Sequence, residues 1–134
     1  MSSASDYAEV LALNFLLNTQ TATRPTSWYV ALYTSSTNDA SGGTEVSGNA
    51  YARTAITFGA AQQPSTGYTY CTNSGTVTFP TASGGAWGTI THIAIYDAST
   101  SGNRLFHGAL TASKTVSDGD TFQIQANNLT ISLT

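Results

Sequence analysis

Two apolar runs around a polar turn make the most legible stretch of the chain. Residues 87–97 and 104–110 flank the small, polar segment 98–103, which carries Gly102 and Asn103. That is a hairpin pattern. Alternation along the first arm sets Thr89, Thr91, Ile93 and Ile95 on one face and Ile90, His92, Ala94 and Tyr96 on the other. Neither face is strongly polar, so a central strand covered on both sides is expected. Residues 28–34 read the same way. Strands are also expected at 52–58, at 68–72 and 76–79 (or one strand with an irregular middle at 73–75), and at 114–116 and 121–126 around an Asp118-Gly119 turn. Leu129, Ile131 and Leu133 alternate with Thr130 and Ser132, which predicts a half-buried final strand. Residues 35–48 and 59–67 read as loops, and 19–26 as a polar connector.

One helix is expected, over residues 6–18. Asp6 is a candidate cap, with Glu9 three positions on as in a capping box, and both acids suit the positive end of the helix dipole. The body, residues 7–17, is apolar nearly all round, and a helix of that kind must be covered nearly all round. Either it plugs one end of the domain, or its second face docks on another subunit. Together these elements predict an all-β fold: a single-domain antiparallel β-sandwich over 1–134, jelly-roll-like, with about eight short strands and one N-terminal α-helix.

Composition sharpens this picture. Charged residues are only 8%, against about 25% in ordinary domains. Ser and Thr supply 39 of the 134 residues, which suits strands and turns. A sparsely charged surface repels its neighbours weakly, which favours life inside an assembly and a homo-oligomer. Net charge is −3, and the four cations, Arg24, Arg53, Arg104 and Lys114, are scattered. No basic patch is present to neutralise phosphates, so no nucleic-acid partner is expected. No apolar run reaches a membrane span and no leader is visible, so no membrane partner is expected and synthesis in a cytoplasm is. Cys71 is a lone cysteine, read as a small packed hydrophobe.

Candidate chemistry is thin. His92 and His107 sit on the two hairpin arms, and Asp97 is the nearest third ligand for a metal. Asp118 and Asp120 lack the rest of a calcium loop and read as a turn. No nucleophile elbow, phosphate loop or dinucleotide fingerprint occurs, and no acid pair is marked out as a glycosidase would require. A non-enzyme without catalytic residues, cofactor or metal is expected. Seven Tyr and two Trp offer aromatic surface for sugar stacking, although core packing is their default role.

Several segments taken together resemble a small tailed-phage family often labelled tail fibre protein. They are residues 28–33, 43–53, 77–80, 87–92, 95–98, 105–110 and 113–120, and they span nearly the whole chain. The resemblance implies a virion structural protein with no catalytic residues to carry over. A fibre needs repeats or a shaft, and this chain has neither, so the first expectation is a compact capsid decoration (cement) protein bound to the major capsid protein. The alternative is a small tail or tail-fibre-associated protein that meets tail proteins and the host surface, with glycan binding as a variant. Docking is expected through Tyr7, Val10, Leu11, Asn14 and Phe15 of the helix and through Glu45, Tyr51 and Arg53.

Overall fold

The computed structural model describes residues 2–133. In chain order the elements are β1 (Ser2–Ala4), α1 (Asp6–Leu17), β2 (Tyr29–Tyr33), β3 (Thr54–Ala55), β4 (Gln62–Ser65), β5 (Tyr68–Thr72), β6 (Val77–Thr78), β7 (Gly88–Tyr96), β8 (Arg104–Val116), β9 (Gln123–Ile124) and β10 (Thr130–Leu133). The protein is mostly β with one helix, and each sheet is antiparallel. One sheet has the order β1-β8-β7-β2-β3, a second β10-β5-β4, and a third pairs β6 with β9.

The β7–β8 hairpin forms as its sequence predicts, and β7 lies between β8 and β2. Asp97 closes its turn: the carboxylate accepts from the Asn103 backbone N–H at 2.7 Å and from the Asn103 amide at 2.9 Å. Gly102 is required there, because its φ is +74° and a Cβ would lie 2.6 Å from the Asp97 carboxylate. β2 is buried on both faces, as expected. Val30 and Leu32 enter the main core, and Ala31 and Tyr33 pack with Ala94 and Tyr96 on the other side.

The main core gathers buried side chains from all three sheets, among them Leu32, Ile93, Ile95, Val77, Ile124 and Ile131. At its centre Phe79 meets Trp87 and Phe122 edge-on. The Trp87 indole N–H donates to the Asn49 carbonyl at 2.9 Å, which satisfies the polar end of a buried ring.

Several local expectations are corrected. Ile90 does not face away from Ile93 and Ile95; all three share the core. Between Ile90↔Lys114 and His92↔Ala109 the register shifts, with five steps of β8 set against two of β7, and this bulge re-aims the strand. The expected loop 59–67 contains β4, an edge strand that tolerates Pro64 because its outer side needs no donor. The expected strand 52–58 shrinks to Thr54–Ala55. The Asp118-Gly119 turn is present, with the Asp120 N–H donating to the Ser117 carbonyl, but it closes no hairpin: β9 pairs with β6 rather than with β8. Residues 68–79 form two strands in different sheets. Between them Asn73, fully buried, donates to the Gly75 and Gln125 carbonyls and accepts from the Leu129 N–H. In the last strand Ile131 is buried, but Leu133 stays 59% exposed.

Candidate functional site

The site is the N-terminal helix together with the polar network that roots it. Ser5, not Asp6, is the N-cap: its hydroxyl accepts from the Ala8 N–H at 3.1 Å. Asp6 instead begins the first turn, so Glu9 falls one position late for a capping box. Ser5 is itself buried and pinned to β8. Its N–H donates to the Leu105 carbonyl and its hydroxyl to the Arg104 carbonyl. The Asp6 N–H donates to the Asp39 carbonyl, so the long loop 35–48 also grips the helix root.

Arg104 holds that loop down. Its side chain is 4% exposed. The guanidinium donates to the Asn38 carbonyl at 2.7 Å and the Gly42 carbonyl at 3.0 Å in the loop, and to the phenol oxygens of Tyr33 at 2.9 Å and Tyr96 at 3.3 Å. The two phenols bond each other at 2.8 Å. Burial pushes the Tyr33 phenol up to about 12, its bond to Tyr96 adds to the rise, and the Arg104 charge only partly offsets it. Burial works against the Arg104 cation, but its bonds to the phenols outweigh that and hold it charged. Beside it, His107 shares its ring nitrogens between Thr37 and Asp39, both at 2.8 Å, again in the loop.

The structure joins Glu45, Tyr51 and Arg53 in the same network. Arg53 pairs with Glu45 through two nitrogens, at 2.8 and 2.9 Å, and lies 3.7 Å over the Tyr96 ring. Tyr51 donates to Glu45 at 2.9 Å and accepts from the Leu32 N–H at 3.0 Å. Burial, with the neighbouring carboxylate in support, raises the Tyr51 phenol well above its ordinary range. These three side chains are thus engaged with their own chain. His92 bonds the adjacent Thr91, His107 faces the loop and Asp97 serves the hairpin turn, so the three do not converge. Among the described residues no group of three His, Cys, Asp or Glu is placed to hold a metal. Burial raises the Cys71 thiol, which packs against the core.

The body of the helix is different. None of its residues is buried. Ala8, Leu11 and Asn14 are half-buried, while Tyr7 and Val10 are exposed and Leu13, Phe15, Leu16 and Leu17 are 56–76% exposed. The helix therefore plugs nothing. It stands over an apolar groove of about 580 Å³, whose floor includes Trp28, Leu105 and Phe106 and whose rim carries Arg24. Arg24 is exposed and makes no hydrogen bond or ion pair among the described residues. Docking residues predicted on the helix thus divide: Tyr7 and Val10 are exposed and lie outside the groove, Leu11 and Phe15 line it, and Asn14 is half-buried. Leu13, Leu16 and Leu17 were missed as docking residues, although they lie in the same apolar run. Arg104 was missed as an organiser because its partners are remote in the chain. No helix among the described residues is long and apolar enough to cross a membrane.

No curated protein matches the chain. A family match covers residues 3–132, nearly its full length. It agrees with the tailed-phage resemblance carried by the sequence segments. The chain belongs to the family described as Podophage GP4 fiber I protein gp80.

Proposed function

We propose that the protein is a non-catalytic structural component of a tailed-phage virion, placed in the tail fibre and held in its assembly by α1. The observation that carries this reading is the exposed apolar helix. A surface with so much contiguous apolar area marks an interaction site. The family description names a fiber protein, which favours the tail-fibre alternative over capsid decoration, the first expectation from the sequence. The non-catalytic reading is supported by the fate of the ionisable groups: Arg53, Glu45, Arg104, His107 and Asp39 all serve to hold one loop. The three sheets around one core are read as a sandwich-type single domain.

The partner proposed for α1 is a second copy of the chain. Charge complementarity favours this and sets the orientation. Asp6 and Glu9 lie in the first turn, no basic residue lies in the last turn, and unpaired Arg24 sits on the groove rim. Two parallel helices would bring the acids together. Two antiparallel helices place the acids of one copy toward the Arg24 of the other and oppose their dipoles. Such a contact is isologous and closes at two copies. Burying each exposed side chain contributes on the order of 1–2 kcal/mol, and association costs at least ~4 kcal/mol. Six such side chains on each copy are therefore enough for a measurable complex. Immunogold labelling of intact virions tests the location: gold on the tail fibres is expected, and gold spread over the head would return the protein to capsid decoration.

A further inference from the structure

The outer face of the three-stranded sheet carries a second surface. Cys71 of β5 pairs with Ile131 of β10, and both turn to the core. Tyr70, its neighbour in β5, pairs with Ser132 on one side and Gln62 on the other, and so belongs to the outer face. Tyr68 lies two positions back and stacks on Tyr70, with ring centroids 5.2 Å apart. Tyr68 is 40% exposed. The pair stands in an open groove of about 510 Å³ that also includes Gln62, Thr72, Asn127 and Thr130.

From this arrangement we propose a binding site for a neutral carbohydrate, a pyranose-containing oligosaccharide. Two stacked phenol rings offer flat apolar surface at low entropic cost, which suits the C–H face of a sugar ring. The hydrogen-bonding groups around them are planar amides and hydroxyls. Gln62 accepts from the Tyr70 hydroxyl through its oxygen, and Asn127 accepts from Thr72 through its oxygen. In each case the amide nitrogen has no protein partner among the described residues, leaving N–H donors for sugar hydroxyls. Asn127 is held in the left-handed region, φ +66°, and its backbone N–H donates to the carbonyl of buried Asn73, which fixes its position. No charged side chain lines the groove. A carboxylated or phosphorylated sugar would find no cation there, so the site selects uncharged rings. The groove is open, so a single site binds weakly, with a Kd that is roughly millimolar, and useful avidity comes from several copies in one fibre.

The inference rests on the fibre reading only for where such a sugar would be met; binding itself is a property of the isolated chain. The test is an NMR titration of isotope-labelled protein with maltotriose, lactose and mannobiose, and with sialyllactose as a charged comparison. Saturable shifts at Gln62, residues 68–72 and Asn127 are expected with at least one neutral sugar. Tyr68→Ala should weaken binding about tenfold or more, and Tyr68→Phe should retain it. Asn127→Gly, which suits the left-handed backbone, should weaken it without unfolding the chain. Absence of shifts with every neutral sugar at tens of millimolar (roughly ten times the expected Kd) would overturn the proposal. So would binding that survives Tyr68→Ala, or a preference for sialyllactose. A chain located on the tail that binds none of these sugars would overturn this inference and leave the fibre reading standing.

Discussion

Arg104 shows what a single buried cation does in a chain with few charges. It has no carboxylate partner; two phenols and two backbone carbonyls share its charge. Arg104→Met removes those donors: the two loop carbonyls lose their partner, and the buried phenols keep only their bond to each other. A loss of about 3 kcal/mol in urea unfolding is expected, larger than for a surface change. Asn73→Ala should cost about 2–3 kcal/mol, since three backbone groups lose their partner at once and a fully buried side chain is truncated. Tyr33 adds a pH dependence with a definite sign. Its phenol gives up a proton near pH 12 in the fold, against an ordinary value of 10.0. Its contribution is therefore whole below about pH 10 and is lost as pH rises through 12. Spectrophotometric titration at 295 nm, run beside alkaline unfolding, checks this; Tyr33→Phe should flatten that part of the stability profile. None of this was legible in the sequence, where the cations look scattered. Arg104 and Tyr33 are 71 positions apart, and only the fold brings them together.

At the scale of elements, the parts that read correctly are those whose pattern is local. The β7–β8 turn has Gly102 where backbone geometry needs it and Asn103 where it bonds the Asp97 carboxylate, and β2 is apolar on both faces because both faces are covered. Elements decided by distant pairing did not read correctly. β9 looks like the return arm of an Asp-Gly turn, yet it pairs with β6. The bulge in β8 that turns Ile90 inward leaves no mark in the period of β7. The helix was placed to within a residue of its C-terminal end, and its apolar surround was plain, but which of its sides faces water was not. That exposure yields a prediction. Leu13→Glu changes a side chain that is 56% exposed, so the folded monomer should lose less than about 0.5 kcal/mol. Phe79→Ala, in the core at 2% exposure, should lose about 3–5 kcal/mol. Thermal unfolding of both variants at low protein concentration makes the comparison.

For the whole molecule, the helix matters more than the sheets. The sheets supply a closed core and a network that clamps loop 35–48 over the helix root, which gives α1 a fixed base while its body stays apolar and uncovered. A family match over residues 3–132 puts that helix in a family described as a fiber protein, and a second copy of the chain is proposed to cover it. The most direct test is the mass of the chain in solution by multi-angle light scattering. At roughly 100 µM, well above the dissociation constant expected for such a contact, the wild-type chain should have twice its 13.9 kDa, and Leu13→Glu should return it to the single-chain mass. A wild-type mass that stays at 13.9 kDa, or a Leu13→Glu variant that associates as well as the wild type, would contradict the role given to α1.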